Sequence, residues 1–196
     1  IEGKKKCQKK LPTWFATSGI YYPNKINIEQ TSSEIAAEYK SKIIEGKSLL
    51  DLTGGFGIDS YYFSKKVDSV FHFEIDKNLN EIATHNFKIL GTTNIKTVAE
   101  NGVAYLVNND HFFDWVYIDP SRRNEAKGKV FFLEDCLPNV PENLEVLFNK
   151  TNNVLVKTSP LLDFSIGIQS LKFVKEIHVV AVNNEVKELL WVLEKN

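Results

Sequence analysis

Residues 51–59 read DLTGGFGID and place three glycines between two carboxylates, directly after the leucines at 49 and 50. A glycine-rich turn between a strand and a helix allows backbone N–H groups to approach a ligand closely, because no Cβ atom stands in the way. The stretch therefore predicts a first strand, a ligand-binding turn and a helix that starts near residue 58.

The alternation continues on the C-terminal side of this turn. Short β-branched or aromatic runs predict strands at 47–53, 69–75, 95–100, 114–119, 153–159 and 176–182. Amphipathic segments predict helices at 58–66, 77–90, 101–108, 161–173 and in a proline-interrupted region from 131 to 149. Residues 185–195 fit either a helix or a last strand that pairs with 176–182 through Asn183-Asn184. This order is typical of an α/β fold with a doubly wound, mostly parallel sheet.

The segment before the first strand has a different character. Residues 1–46 are predicted to form an N-terminal extension with one helix at 31–45, and 47–196 the main domain. Thr31 precedes Glu34 by three residues, which is the spacing of a capping box. The run KKKCQKK at 4–10 precedes Trp14 and Phe15, so it fits either a nucleic-acid patch with stacking aromatics or a solvated tail with an apolar anchor.

Composition limits the class of protein. The 196 residues carry a net charge of −1, so only local patches are expected to bind nucleic acid. We predict a cytoplasmic chain without a membrane segment, and Cys7 and Cys136 lack the spacing of a metal site. Because it starts at Ile1 and contains no methionine, we expect the sequence to be a segment of a longer protein.

The residues around the glycine turn distinguish between ligand classes. A P-loop would close with a Lys-Ser or Lys-Thr pair, which GGFGIDS at 54–60 lacks. A dinucleotide turn prefers G-x-G-x-x-G, and Ser60 stands where the third glycine would be. Glu74, at the end of the second predicted strand, suits the ribose of either a dinucleotide or another nucleoside. Asp51 would repel a pyrophosphate, so the turn favours a cationic ligand and weakens the case for a nicotinamide dinucleotide.

Three segments carry a resemblance to a known family: DLTGGFGID at 51–59, FHFEID at 71–76 and DWVYIDPSRR at 114–123. In this order they resemble the class I S-adenosylmethionine-dependent methyltransferases, most of all the RNA-modifying branch. That branch includes ribosomal-RNA guanine methyltransferases and a bacterial group with a THUMP-like RNA-binding domain, which residues 21–40 also resemble. The resemblance implies a Rossmann-like methyltransferase sheet, S-adenosylmethionine as cofactor, an RNA substrate, no metal, and an RNA-binding domain elsewhere in the full-length chain.

The resemblance also implies roles for individual residues. Asp51 would lie near the methionine ammonium, and Glu74 would hold the ribose hydroxyls. Either Glu100 or Asn101 would lie beside the adenine. The predicted cofactor-binding set is Asp51, Thr53, Gly54, Gly55, Phe56, Gly57, Asp59, Glu74, Ile75, Glu100 and Asn101.

The acceptor is expected where the fourth strand ends, because ligands of open α/β sheets bind beyond the carboxyl ends of the strands. Relatives that methylate exocyclic amines carry an Asp or Asn there, then prolines and an aromatic residue. The predicted catalytic set is Asp119, Pro120, Ser121 and Arg122, with Asp119 stabilising or removing the amine proton. Ser121 replaces the second proline and Arg122 the aromatic, so Arg122 and Arg123 fit either an RNA contact or a surface pair.

Other side chains are candidates to complete the acceptor site. The missing aromatic could be supplied by Phe131, Phe132, Tyr21, Tyr22 or Trp14. Lys157, Thr158 and Ser159, at the end of the fifth strand, are candidates to line the pocket. The four histidines, which lack ligand spacing, are expected to be structural or exposed.

The function predicted from these observations is methyl transfer from S-adenosylmethionine to a nucleobase amine, in RNA. Two alternatives stay open: a catalytically silent RNA-binding module, and an NAD-dependent oxidoreductase.

Overall fold

The computed structural model describes residues 2–122 and 132–195. Arg123 and Phe131, two of the predicted contact residues, lie outside the described part of the chain. The chain forms two compact units, 1–102 and 103–196. Among the described residues, no helix is long and apolar enough to cross a membrane.

In the first unit, strands and helices alternate from residue 48 onward, in the predicted order. Its elements are α1 (Glu2–Lys10), α2 (Pro12–Ala16), α3 (Lys25–Gln30), α4 (Glu34–Ser41), β1 (Ser48–Asp51), α5 (Ile58–Phe63), β2 (Ser69–Phe73), α6 (Lys77–Ile89) and β3 (Ile95–Val98).

The strands of the first unit are parallel and lie in the order β3-β2-β1. Asp51 is the register partner of His72, and Phe73 that of Val98. Because parallel strands end at the same edge of a sheet, the segments that follow β1, β2 and β3 meet at one edge. The glycine turn, Glu74 and Glu100 all belong to these segments.

Four helices occupy residues 2–46, where one helix was predicted. The lysine-rich α1 packs through Cys7 and Leu11, which are fully buried in a cluster with Trp14 and Phe56. This buried face is difficult to detect in the sequence, because two apolar residues within a run of lysines give only a weak helical periodicity. Trp14 is fully buried, so it cannot stack on a nucleic-acid base.

Helix α4 begins differently from the prediction. Ser33 is its N-cap and accepts a hydrogen bond from Ala36 N, so the capping box of Thr31 and Glu34 is wrong. Glu34 instead accepts bonds of 2.7 Å from both the backbone N and Oγ1 of Thr13. It thereby satisfies an N–H group in the first turn of α2, which has no side-chain cap of its own. The helix ends at Ser41 rather than near residue 45.

The second unit contains the remaining strands. Its elements, with α7 starting at the unit boundary, are α7 (Gly102–Asn108), β4 (Trp115–Ile118), β5 (Ser121–Arg122), a 3-10 turn (Leu133–Asp135), β6 (Cys136–Leu137), α8 (Val140–Phe148), β7 (Asn153–Thr158), α9 (Phe164–Ser170), β8 (Val174–Val182) and β9 (Glu185–Glu194).

The main sheet of this unit has the order β4-β7-β9-β8. Strand β7 is parallel to β4, whereas β9 is antiparallel to both β7 and β8. The C-terminal segment is therefore a strand and not a helix. Asn183 and Asn184 both have positive φ, 54° and 61°, which is the conformation of a tight hairpin turn.

Candidate functional site

A buried carboxylate ends β1. The side chain of Asp51 has 1% exposure. Its Oδ1 accepts a 3.0 Å bond from Thr53 N, and its Oδ2 a 2.6 Å bond from the Ser60 hydroxyl. These donors come from the turn and from α5, so the local fold fixes the orientation of the carboxylate.

The three glycines of the turn have different roles. A Cβ atom on Gly54 would lie 2.2 Å from the His72 ring, and one on Gly57 would lie 2.5 Å from Phe87. These two glycines are required by packing within the protein. A Cβ atom on Gly55 would meet only Thr53 O, at 3.8 Å, although its φ of +56° already disfavours other residues. Gly55 is therefore the glycine with an open face.

Glu74 connects the glycine turn with the end of β2. Its Oε2 accepts a 2.9 Å bond from Gly55 N, and its Oε1 a 2.8 Å bond from Asp76 N. The backbone N of Glu74 donates to Val98 O at 3.1 Å, which ties this residue to the end of β3 as well. The structure thus brings Asp51, Gly55 and Glu74 to one edge of the sheet.

Three other predicted cofactor residues are exposed next to these strand ends. Ile75 is 71% exposed although it is apolar. Glu100 and Asn101 are exposed as well, directly before Gly102, which packs closely against Leu52 and Phe73. There, a Cβ atom on Gly102 would lie 2.6 Å from a methyl carbon of Leu52.

Phe56 and Asp59 have side chains that are engaged inside the first unit. Phe56 is 2% exposed and packs against Trp14, with 6.4 Å between ring centroids. Asp59 forms an ion pair of 3.0 Å with the fully buried Lys40 and accepts a bond from the Ser32 hydroxyl. A ligand contact from Phe56 would therefore come from its backbone, and the role predicted for Asp59 stays a prediction.

In the second unit, Asp119 follows β4 and bonds to Lys157 at the end of β7. The Lys157 Nζ to Asp119 Oδ2 distance is 2.5 Å, and the two side chains are 13% and 30% exposed. Pro120 is buried, and Ser121 is exposed. Ser121 and Arg122 form a short strand that pairs with Leu137 and Cys136. The bend after Asp119 is thus held by a second small sheet that the sequence did not predict.

The neighbours of Lys157 have mainly structural contacts. Thr158 is buried and accepts a 2.9 Å bond from Trp191 Nε1. Ser159 Oγ accepts a bond from Leu161 N at 3.2 Å, which caps the turn. Of the three candidates at this strand end, Lys157 is the one with a contact to Asp119.

The candidate aromatic residues differ in whether their rings are engaged in contacts within the protein. Tyr21 is exposed but stacks on His85, with 3.8 Å between ring centroids. The hydroxyl of Tyr22 donates to Trp14 O, and this ring belongs to the core of the first unit. Phe132 is 42% exposed and keeps a ring surface available to a ligand.

The acceptor groups around the glycine turn suit a cationic amino acid joined to a nucleoside. The turn places the open side of Gly55 next to two carboxylates, Asp51 and Glu74. Each oxygen of a carboxylate has two lone pairs, so it can accept a bond from a ligand besides one from the protein. Two carboxylates beside a turn disfavour a pyrophosphate, whereas an ammonium and a ribose diol match them in charge and hydrogen bonding. In the described part of the chain, no group of three or more His, Cys, Asp or Glu residues could hold a metal ion.

Sequence reasoning did not identify Ser60, His72 and Lys40 as parts of this arrangement. Ser60 and His72 approach Asp51 through the β1–β2 register and the start of α5, and Lys40 approaches Asp59 from α4. The signal available in the sequence was that Ser60 and His72 are polar residues in segments rich in apolar and aromatic side chains, IDSYYF and SVFHF.

Comparisons with known proteins agree with this architecture. A candidate methyltransferase from Porphyromonas gingivalis has a crystal structure that matches 98% of this chain with a TM-score of 0.89 and 33% identity, and the match covers 48% of that protein. An uncharacterised RNA methyltransferase of Mycoplasma mobile, MMOB5020, is 31% identical over 130 residues, which are 63% of this chain and 35% of the relative. TrmK of M. capricolum, solved with S-adenosylhomocysteine, matches 82% of this chain and 68% of its own with a TM-score of 0.59 and 17% identity.

No family model matches the chain. The α/β, Rossmann-like methyltransferase fold predicted from the sequence is confirmed by the whole-chain likeness to the Porphyromonas gingivalis structure. The chain spans about half the length of that protein and about a third of the Mycoplasma mobile relative.

Proposed function

We propose that this chain is the S-adenosylmethionine-binding and catalytic part of a methyltransferase that modifies a nucleobase amine in RNA. The observation that carries the proposal is the pair of carboxylates, Asp51 and Glu74, at the ends of adjacent parallel strands around the open Gly55. The likeness to an RNA methyltransferase of Mycoplasma mobile and to TrmK with S-adenosylhomocysteine supports it.

Each cofactor residue then has a defined task. S-adenosylmethionine supplies, when bound, a methyl group activated by its sulfonium charge. Asp51 would accept hydrogen bonds from the ammonium of the methionine part, and Glu74 from the ribose hydroxyls. Ile75 would give the adenine an apolar surface, which explains why a 71% exposed isoleucine is placed there. Glu100 or Asn101 would contact the edge of the adenine.

Asp119 would receive the acceptor amine. Lys157 holds its carboxylate by a charge-assisted hydrogen bond and so fixes its orientation. A carboxylate in this position accepts an N–H bond, which aims the nitrogen lone pair away from the carboxylate, and it stabilises the positive charge that develops on the nitrogen. Arg122, half-buried after the bend, would contact the RNA backbone or a base.

The two alternatives differ from this proposal in their ligands. An NAD-dependent oxidoreductase must bind a pyrophosphate next to Asp51, which is electrostatically unfavourable. A silent RNA-binding module would need neither Asp51 nor Glu74 to be charged.

Cofactor binding provides the first test. We expect S-adenosylmethionine to bind the wild-type chain in calorimetry, and Asp51→Asn to weaken binding by about 10- to 100-fold, because a hydrogen bond between charged groups is lost. Glu74→Gln should weaken it by about 10-fold on the same basis. The exposed Glu81→Gln, the same change on helix α6, should bind like the wild type.

Two results on the wild type and one on the variants would contradict this part of the proposal. One is the absence of S-adenosylmethionine binding by the wild type, and the other is tighter binding of NAD than of S-adenosylmethionine. Equal affinity of all four proteins would also refute the roles of Asp51 and Glu74.

A basic surface on α1 supports RNA as the substrate. Lys4, Lys5 and Lys9 are exposed on α1, which is anchored in the core by Cys7 and by Leu11 directly after the helix. Lys5 and Lys9 lie on the face opposite Cys7, whereas Lys4 lies over the Phe15 ring, 5.4 Å from its centroid. These lysines therefore lie on an ordered surface and not on a free tail. In a chain with a net charge of −1, such a local cluster is the feature expected of a phosphate-binding surface.

Salt dependence tests this surface. Replacement of Lys4, Lys5 and Lys9 with glutamine should make the dependence of RNA affinity on salt less steep. For single-stranded RNA, the magnitude of the slope of log affinity against log salt should fall by about 2, because each phosphate contact contributes about 0.7. Fluorescence anisotropy with a labelled RNA gives the slope. The matched control replaces three exposed lysines elsewhere, Lys66, Lys88 and Lys172, and should leave the slope unchanged. Equal slopes for both triple variants would show that α1 is not the RNA surface.

A further inference from the structure

A buried chain of three polar side chains lies behind the glycine turn. Ser60 Oγ is 2.6 Å from Asp51 Oδ2 and 2.9 Å from His72 Nδ1. Their exposures are 0% for Ser60, 1% for Asp51 and 0% for His72. Asp51 and His72 are register partners on β1 and β2, so their side chains leave the sheet on the same face, where Ser60 reaches them from α5.

The direction of these hydrogen bonds follows from the number of protons. A carboxylate only accepts, so Ser60 uses its single proton to donate to Asp51. The Ser60 oxygen must then accept from His72, which places the imidazole proton on Nδ1. Burial lowers the pKa of His72 to about 3, so the ring is neutral near pH 7 and its Nε2 carries no proton. Within residues 2–122 and 132–195, Nε2 has no hydrogen-bond partner.

The same three residue types occur in hydrolase triads, but their connection differs here. In a triad, histidine lies between serine and aspartate and removes the serine proton. Here serine lies in the middle, and its proton points to the aspartate. Ser60 is also fully buried, so it is not placed to act as a nucleophile.

We infer that Ser60 and His72 are positioning residues that hold the Asp51 carboxylate for the ammonium of an amino-acid tail. The inference rests on the proposed function. Thr53 N fixes Oδ1 and Ser60 fixes Oδ2, while His72 holds the Ser60 hydroxyl in its donating orientation. Loss of these hydrogen bonds would allow the Asp51 carboxylate to rotate. Only ligands that contact Asp51 would then bind more weakly. Ligands held through Glu74 alone would bind as before.

The test compares two ligands that differ in the amino-acid tail. Ser60→Ala should weaken the binding of S-adenosylhomocysteine by about 10-fold, the cost of one charge-assisted hydrogen bond. The affinity for 5′-methylthioadenosine, which lacks the amino-acid tail, should stay unchanged. Ser60→Thr keeps the hydroxyl and should restore the affinity. Equal weakening of both ligands would overturn the inference, because it would indicate a general structural effect. Unchanged binding of both would overturn it as well.

A measurement on the wild-type protein tests the inference without relying on the correct folding of the variants. The ¹⁵N chemical shifts of the His72 ring should show the Nδ1–H tautomer without titration between pH 5 and 8. An Nε2–H tautomer would overturn the inference while leaving the proposed function intact. Failure of the wild type to bind S-adenosylhomocysteine, in contrast, would overturn the proposed function and this inference together.

Discussion

Replacement of Asp119 with asparagine is expected to slow methyl transfer to RNA by about 10²- to 10⁴-fold, the usual contribution of a positioned acid or base. Asparagine keeps the shape of the side chain but removes the charge that would stabilise the developing cation on the nitrogen. It also leaves Lys157, whose side chain is 13% exposed, with a neutral partner. The affinity for S-adenosylmethionine should stay close to that of the wild type, because the residues proposed to bind it all lie within 1–102.

The measurement is single-turnover transfer of a labelled methyl group to total RNA. Asp110→Asn is the matched control, since Asp110 is fully exposed and undergoes the same chemical change. Equal rates for wild type and Asp119→Asn would refute the role of Asp119. Absence of transfer by the wild type, despite cofactor binding, would instead favour a silent RNA-binding module.

Replacement of Gly57 with alanine is expected to lower the free energy of unfolding by about 2–5 kcal/mol. Two penalties add at this position. Gly57 has a φ of +87°, which costs other residues about 1–2 kcal/mol. The new methyl group would also lie 2.5 Å from the Phe87 ring, and such overpacking typically costs about 1–3 kcal/mol.

Gly91 separates these two penalties. It has a φ of +73°, yet a Cβ atom there would meet nothing within 4 Å. Gly91→Ala should therefore show the conformational cost alone, about 1–2 kcal/mol. Urea denaturation of both variants gives the comparison. An equal loss in the two variants would show that Phe87 moves aside without cost, and the close packing of the turn would then not matter for stability.

The sequence predicts the strands of the sheet well because most of them are short runs rich in apolar, β-branched or aromatic residues. All six predicted strands are confirmed, with ends that differ by a few residues. Apolar runs such as 115–118 are too short for a typical helix and are characteristic of strands that are buried on both faces of a parallel sheet. The last segment, 185–195, was ambiguous because LLWVL fits the periodicity of a helix as well as that of a strand. In the structure it is a strand, which pairs with β7 and β8.

The N-terminal helices were less predictable because their stability comes from tertiary contacts. Helix α1 has five lysines in nine residues, and only its packing through Cys7 and Leu11 distinguishes it from a solvated tail. The predicted boundary between an extension at 1–46 and a domain at 47–196 stays a prediction.

The candidate site shows the same limit. Asp51, Glu74 and Asp119 could be selected because each lies at or near the C-terminal end of a predicted strand. Ser60 and His72 could not, because their contact with Asp51 depends on register and on the placement of α5. The Lys157 contact with Asp119 likewise depends on the pairing of β4 with β7, which places the ends of these strands side by side.

The buried apolar side chains of the N-terminal helices have a consequence for the order in which the protein folds during synthesis. Trp14 and Ile28 share a core cluster with Phe56, Tyr62 and Leu79, which are synthesised tens of residues after them. A nascent chain that ends before these residues cannot bury Trp14 and Ile28 in this cluster. The N-terminal helices therefore acquire their packing together with the glycine turn and the first two strands, and do not form a folded unit ahead of them.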